Sequence, residues 1–369
     1  MERLAYRMKD WLANLRGYFS SSKFLRFWDK FIKILKIIVP KLIIYIILLT
    51  FSYIFMSPLL RVLVDSFKSP ADIVNPDVVW IPTTLTLRNY LDATKGLWIY
   101  KVLKSMENAW ISTLLNSFLF SLLAAIFQTV VSCITGYAFA RFNFKGKKFW
   151  FAGLILGFII PIQLLTLPRS IMLIKLMNKT TSPSKFLGIT TASSFSYHLD
   201  GSLSIITTTP VLLLTLLGQG LNSSILTFIA FSFFKMIPVA LDEAAQIDGA
   251  NFFQIFYHVI LKMSVPTILV IFLFAFIWNW NDTYVIGNLT SIGENNLAFQ
   301  TLPQQLNRFN YTVSQGEGMS GISQTNQEAN NAGLQAAAII ISILPLIILY
   351  AFTQRKFVEG IENTGVTGM

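Results

Sequence analysis

The sequence predicts an all-α, polytopic membrane protein with six transmembrane helices. Apolar residues make up 54% of the 369 residues and charged residues only 13%, well below the charged share of a soluble domain. Six stretches of at least nineteen residues contain no Asp, Glu, Lys or Arg, and each is long enough to cross the hydrocarbon core. Backbone groups inside lipid must be paired within their own segment, which makes helices the expected form. The stretches are 42–60, 108–140, 149–168, 201–234, 263–281 and 329–354.

Basic residues give the expected orientation of these spans. Residues 1–37 carry nine Lys and Arg residues, and the short connection 141–148 carries four more. By the positive-inside rule both regions are cytoplasmic, so six spans place both termini in the cytoplasm, with Arg355 and Lys356 flanking the last span. The net charge of +11 then reflects topology and attraction to anionic lipid, and no nucleic-acid partner is expected.

Three regions follow from this topology. Residues 1–37 form a basic cytoplasmic N-terminal segment, 38–356 the transmembrane domain and 357–369 a cytoplasmic tail. The N-terminal segment is either a helix lying on the membrane face or an ordinary flank that fixes topology. External loops are expected at about 61–107, 169–205 and 282–328.

The window 201–234 allows two topologies. It is too long for one straight span and contains Pro210, Gly218 and Gly220. A hairpin here would add a seventh span and move the segment 238–266 outside the cell. One broken helix keeps six spans, and we prefer it because a seventh crossing would reverse the basic flanks downstream.

A charged, amphipathic segment at 238–266, here called the bracket, interrupts the apolar chain on the expected cytoplasmic side. Pro238 suits the first turn of a helix, and Gly249 suits its left-handed C-terminal stop. Asn251, with Gln254 three residues later, suits the capping box of a second helix. The pattern predicts two short helices around a turn, which either dock onto another protein or rest on lipid.

The chain shows no catalytic or metal-binding constellation. It contains two histidines, His198 and His258, and one cysteine, Cys133, which lies in the second span. No glycine-rich G-x-x-x-x-G-K-[ST] phosphate loop occurs, and the external acidic residues are scattered along the loops. We therefore expect no catalytic residue, no metal and no cofactor in this chain.

The bracket resembles the EAA loop of permease subunits in binding-protein-dependent ABC importers. Glu243-Ala244-Ala245 is followed by three residues and Gly249, and nine residues later by Val259-x-Leu261. Further segments are similar, in the same order, to carbohydrate permeases such as the smaller membrane subunit of the maltose transporter. They are Trp80–Tyr90, Arg141–Gly146, Trp278–Asp282 and Phe357–Gly360. The resemblance covers about residues 40–365 and implies the type I ABC importer permease fold.

The resemblance also implies partners and a coupling contact. The bracket would insert as a coupling helix into an ATPase subunit, and a pair of those subunits would bind ATP and Mg. A second permease subunit, an extracytoplasmic solute-binding protein, membrane lipid and a sugar substrate complete the implied partners, in a bacterial inner or plasma membrane. The residues assigned to ATPase coupling are Glu243, Ala244, Ala245, Gly249, Phe252, Phe253 and Phe256.

Two features depart from the family pattern. Lys262 stands where the family has Pro, and the nearest proline is Pro266, so the exit of the bracket is expected to be shaped differently. Residues 178–205 are longer than the usual external connection, and a polar surface loop is expected there.

Residues with sugar-binding chemistry are concentrated near the end of the fifth span. Aromatic rings contact the apolar faces of sugars, and Asn, Gln and Asp side chains bind hydroxyl groups. Trp and Tyr at a span end are also typical of the interfacial belt. A non-sugar cargo such as a peptide, and a membrane enzyme or scaffold that uses the bracket for interaction, are the alternatives. The candidates for the substrate pathway are Gln163, Trp278, Asn279, Trp280, Asn281, Asp282 and Tyr284.

Overall fold

The fold is given by a computed structural model of the chain. It divides into two compact units, Met1–Val64 and Asp65–Met369. Most of the external loop expected at 169–205 lies outside the described residues, which there comprise 169–178, 185–186 and 189–190. The structure describes residues 22–97, 99, 101–102, 110–111, 113–178, 185–186, 189–190, 211–290, 300–314 and 327–365.

The first helix, α1 (Ser22–Phe67), accounts for the described part of the first unit. Its stretch Lys30–Phe67 is apolar enough to cross a membrane, and apolar side chains on all its faces are exposed. A helix that is apolar all round is typical of a membrane span. Helix α1 begins at Ser22, inside the basic N-terminal segment, and runs on without a break at residue 37, where the segment was predicted to end. Residues 1–21 lie outside the described part.

In the described part of the second unit, helices are joined by two pairs of two-residue antiparallel strands. These are β1 (Lys101–Val102) with β2 (Trp110–Ile111), and β3 (Lys185–Phe186) with β4 (Ile189–Thr190). Its first helices are α2 (Pro70–Val74), α3 (Arg88–Gly96), α4 (Thr113–Arg141), α5 (Lys147–Ile159) and α6 (Ile162–Asn178). They are followed by α7 (Val211–Met236), α8 (Val239–Ile247), α9 (Phe252–Met263), α10 (Val265–Asn281), α11 (Val285–Thr290), α12 (Leu302–Ser314) and α13 (Gln327–Gly365).

The described helices reproduce the six predicted spans when each bent pair counts as one. Four are long and apolar enough to cross a membrane by themselves. The bent pairs are α5 with α6, at 100°, and α9 with α10, at 79°. Helix α7 is a single span candidate interrupted at Gly218, whose φ of +80° is left-handed. The described part of the 201–234 window therefore forms one broken helix, as preferred from the sequence.

Helix α4 lies at the centre of the second unit and packs against α7 and α10. Gly136 allows its close approach to α7, because a Cβ there would lie 2.6 Å from the Cβ of Ala230. Helix α10 is joined to α13 by Trp280, which is buried and donates its indole N–H to the Ser342 carbonyl over 3.3 Å. This shared core positions the ends of the spans from which the bracket extends.

Candidate functional site

The first bracket helix is α8, and it begins one residue after Pro238. It ends at Ile247, and Gly249 follows two residues later with a φ of +83°, the left-handed region that only glycine adopts without strain. No heavy atom lies within 4 Å of a Cβ built at that position, so backbone conformation rather than space requires the glycine. The predicted C-terminal stop at Gly249 is confirmed.

The second bracket helix begins with the predicted capping box. The Asn251 backbone N–H donates to Oε1 of Gln254 over 2.7 Å, and the Gln254 backbone N–H donates to Oδ1 of Asn251 over 2.9 Å. Two amides that the helix start would leave unpaired are thereby satisfied. Helix α9 then passes through a π-helical stretch at Ile255–Ile260.

The exit of the bracket lies beyond the position that departs from the family pattern. Lys262 is exposed and lies inside α9, and the chain bends at Ser264. Ser264 donates its hydroxyl to the Ile260 carbonyl over 2.6 Å, and Pro266 follows in the first turn of α10. The bend is therefore made two residues after Lys262, and the difference from the family shape stays a prediction.

The bracket presents an acidic and apolar surface that is exposed within the chain. Glu243, Ala244 and Gly249 are exposed, and the exposed fractions of Ile247 and Phe253 are 86% and 77%. Ile247 was not among the predicted contacts, although it lies one helical turn after Glu243 and so shares its face. The amphipathic pattern could have identified it.

Three predicted coupling residues also pack against the body of the chain. Ala245 and Phe256 are half-buried against the core, and Phe252 is 40% exposed. Tyr137, near the end of α4, lies 5.6 Å from the ring of Phe252 and 4.7 Å from that of Phe256. Phe142 adds a ring contact with Phe252 at 4.9 Å. These aromatic contacts fasten the bracket to the second span.

A buried ion pair fastens the bracket to the same span. Nε of Arg141, the last residue of α4, lies 3.2 Å from Oδ2 of Asp242, and the two side chains are 8% and 12% exposed. Nη2 of Arg141 also donates to the Ile237 carbonyl over 2.8 Å, just before the bracket. Sequence reasoning had used Arg141 for topology and Asp242 for the helix dipole, and missed their pairing. Nothing in the sequence shows which of the four clustered cations turns inward.

Some of the predicted substrate-pathway residues form contacts within the chain, and the others are exposed. Asn279 is buried and donates to Oε1 of Gln128 over 3.1 Å, and Trp280 is buried against α13. Asp282 accepts hydrogen bonds from three backbone amides at the start of α11, while burial raises the pKa of its carboxyl. These three side chains form contacts within the chain, and their role in the substrate pathway stays a prediction.

The other candidates keep more of their surface. Trp278 is half-buried and stacks on Phe274 at 5.5 Å. Gln163 and Asn281 are exposed, and Tyr284 is 48% exposed. These four side chains have surface outside the core, which solute contact requires.

Two polar side chains hold the break in α7. Gln128, fully buried at mid-length of α4, donates to the Leu221 carbonyl and bonds Ser223 at 3.3 Å. Arg169 donates to the carbonyl and the side-chain oxygen of Gln219 over 3.2 and 2.7 Å. Irregular backbone inside a membrane needs such partners, so Gln128 and Arg169 stabilise the broken span.

The described residues contain no cluster of three or more His, Cys, Asp or Glu side chains that could hold a metal. Cys133 is buried in α4. Nδ1 of the exposed His258 lies 3.2 Å from the Gln254 carbonyl of its own helix, and its ring lies beside that of Tyr257.

Comparisons with known proteins identify what this architecture is similar to. Residues 128–362 match the family described as binding-protein-dependent transport system inner membrane component. A probable ABC transporter permease of Pyrococcus horikoshii is 27% identical over 90% of this chain and 99% of its own length. A probable starch degradation products permease of Thermoanaerobacterium thermosulfurigenes is 26% identical over 88% and 97%. The Streptomyces coelicolor diacetylchitobiose permease DasC is 25% identical over 84% and 91%.

A solved structure shares the fold. The bacterial ABC transporter that imports the acidic polysaccharide alginate matches with a TM-score of 0.50 and 16% sequence identity. The match covers 86% of this chain and 96% of that one. At this identity the likeness concerns the fold alone.

Proposed function

Because this chain belongs to the family of binding-protein-dependent transport system inner membrane components, it is a membrane subunit of an importer, and we propose that its cargo is a sugar or oligosaccharide. Relatives named for starch degradation products, diacetylchitobiose, arabinooligosaccharides and trehalose support this cargo class. Exposed amide and aromatic side chains at the end of the fifth span, Asn281 and Tyr284, suit its chemistry.

The bracket is the contact through which the importer is driven. One observation carries this assignment: the bracket has two different faces. Glu243, Ile247 and Phe253 are exposed on one face, and the other face is fastened to the second span. Exposed apolar side chains of this size suit burial in a protein cleft. A push on the exposed face reaches the span through the Arg141–Asp242 pair and the Tyr137 ring cluster.

The partners follow from this division of labour. ATP and Mg are bound by a pair of ATPase subunits that receive the bracket, so this chain is a non-catalytic subunit. A second permease subunit completes the pathway, and an extracytoplasmic binding protein delivers the solute. Both termini then lie in the cytoplasm of a bacterial cell, on the side of the basic flanks.

Charge reversal and backbone strain at the bracket test the coupling assignment. Glu243→Lys and Gly249→Pro should abolish ATP-dependent uptake in vesicles while the protein still inserts in the membrane. Lys145→Ala, an exposed cation outside the bracket, is the matched control. Unchanged uptake by both bracket variants would refute the assignment.

Cargo is tested separately by calorimetry on the partner binding protein. Neutral oligosaccharides should bind it, whereas short peptides should not. Peptide binding without sugar binding would overturn the cargo proposal and leave the coupling assignment standing.

A further inference from the structure

A charged side chain contacts the fourth span, α7, between its two ends. Arg169 of α6 donates from Nη1 to the Gln219 carbonyl over 3.2 Å and from Nη2 to Oε1 of Gln219 over 2.7 Å. On the side of the bracket, the stretch Ser223–Met236 of α7 has 14 residues and is about 20 Å long. On the other side, Gln219 follows Val211, where α7 begins, by eight residues, about 12 Å. The contact therefore lies within a hydrocarbon core of about 30 Å.

The charge of Arg169 is not neutralised by the described part of the chain. No carboxylate there forms an ion pair with its guanidinium. A guanidinium has five N–H groups, and the contact with Gln219 uses only two of them. The side chain is half-buried, so part of it lies at the surface of this chain. Charged groups at this depth face the interior of a bundle or a water-filled cavity, because lipid cannot solvate them.

The backbone beside Arg169 leads to the same conclusion. Helix α7 is broken at Gly218, whose φ is +80°, and Asn222 is also left-handed, with a φ of 51°. Gln219 and Asn222 are exposed within the chain, and Gly220 between them is half-buried. Irregular backbone at membrane depth is tolerated where it is buried in protein or lines water, and not against lipid. The surface at the break is therefore not covered by lipid.

A core cluster brings two predicted pathway residues close to this surface. It joins the start of α6, the first half of α7 and the start of α11, with Val285 buried in it and Ile162 packed against it. Arg169 follows Ile162 by seven residues, about two turns along the same face of α6. The exposed candidates Gln163 and Tyr284 are the chain neighbours of Ile162 and Val285. The face of α6 that carries Arg169 is thus turned toward α7 and α11, near both candidates.

We propose that Arg169 and Gln219 form a polar contact site for the cargo on the translocation pathway, where the guanidinium donates hydrogen bonds to saccharide hydroxyl groups. The proposal rests on the sugar cargo proposed above. Hydroxyl oxygens accept hydrogen bonds, and the planar guanidinium presents its remaining N–H groups in fixed directions. Gln219 fixes the orientation of this group and leaves its charge unneutralised, which suits a site that must bind its cargo and release it.

Thiol labelling tests whether the site lines water. Cys133 is the single cysteine and is buried, so Cys133→Ala provides the background for Arg169→Cys and Gln219→Cys. Leu167→Cys is the matched control, because this exposed residue of α6 lies about 200° around the helix from Arg169. The complete importer in lipid nanodiscs is treated with a sulfonate-bearing methanethiosulfonate, which reacts with thiols in water and does not enter lipid. The rate is measured without nucleotide and with trapped ADP–vanadate.

A pathway site predicts that the thiols at 169 and 219 react several-fold faster than the thiol at 167 in at least one of the two states. Protection of either position in both states would overturn the proposal, because it shows a cover of protein or lipid. Equal reaction at 167 would also overturn it, because α6 would then lie in open water. If Arg169→Cys does not reach the membrane, Gln219→Cys decides alone, since it keeps the bond from Arg169 to the backbone carbonyl.

Protection by cargo tests the sugar contact. Calorimetry first identifies which of trehalose, maltotriose and diacetylchitobiose binds the partner binding protein. That sugar, added with the binding protein, should slow the labelling at 169 and 219 several-fold, and a sugar of the three that is not bound should have no effect. Unchanged labelling rates in both states would refute the contact. A binding protein that takes none of the three refutes the contact together with the sugar cargo, while the labelling result still decides whether the site lines water.

Discussion

Replacing Arg141 by alanine should detach the bracket from the second span. Arg141 is almost completely buried, and it bonds both the Asp242 carboxylate and the Ile237 carbonyl. Alanine removes both contacts and leaves the Asp242 carboxylate buried without its cation. The exposed docking face is untouched by this change, so its effect reports on transmission rather than on recognition.

The expected magnitude follows from burial. Removing one member of a buried ion pair costs about 3–5 kcal/mol, because the remaining charge stays desolvated. Even ~3 kcal/mol shifts the equilibrium between attached and detached bracket roughly a hundredfold. Substituting both members with apolar residues of similar volume, Arg141→Met with Asp242→Leu, leaves no buried charge and should restore much of the loss.

The assay is the amount of solute imported per ATP hydrolysed, measured in proteoliposomes that contain the complete importer. Arg141→Ala and Asp242→Ala should each lower this ratio, and the double variant should lower it less than the sum of the two. Lys145→Ala, an exposed cation of the same connection, should leave the ratio unchanged. Strict additivity of the single effects would show that the pair does not transmit force, and the reasoning would fail.

Three further predictions concern the body of the protein. Gly136→Val should lower the thermal stability by about 1–3 kcal/mol through overpacking against α7, whereas Gly153→Val, with no atom within 4 Å of its Cβ, should not. Gln128→Leu should cost about 1–3 kcal/mol in thermal unfolding, because it leaves a carbonyl at the α7 break unpaired. The Thr83 hydroxyl, followed by further hydrogen bonds, holds the pKa of Asp72 below its ordinary value. The ionised Asp72 carboxylate therefore stabilises the fold above the unfolded-state pKa, and this stabilisation is lost as pH falls through the folded-state pKa. Asp72→Asn should remove that part of the pH dependence of the melting temperature.

Local signals in the sequence predicted the elements that depend on few residues. The turn at Gly249 and the capping box at Asn251 were identifiable because each depends on one residue type at one backbone position. The spans were identifiable because charge is excluded over a whole bilayer thickness. One broken helix at 211–236 agrees with the charge pattern on both sides of it.

Long-range pairings could not be read from the sequence. Arg141 and Asp242 are about a hundred residues apart, and no local pattern favours Arg141 over the neighbouring lysines as the inward-facing cation. Asn279 was identified as a pathway candidate from its aromatic neighbours, and its hydrogen-bond partner Gln128, on another span, could not be found in that way. The sequence shows which side chains can form hydrogen bonds, and only the fold shows which of those bonds are already made.

The bend at Ser264 joins α9 and α10 at an angle, so the two helices can act as the two arms of a lever. The α9 arm, which carries the proposed docking side chains, is about 18 Å long, and the α10 arm is about 25 Å long. The two helices meet at 79°, so under the proposed coupling a displacement of α9 becomes a tilt of the fifth span. The longer arm multiplies the displacement by about 1.4. Under the proposed coupling, the stiffness of the single corner at Ser264 limits how much of a displacement of α9 reaches the middle of α10.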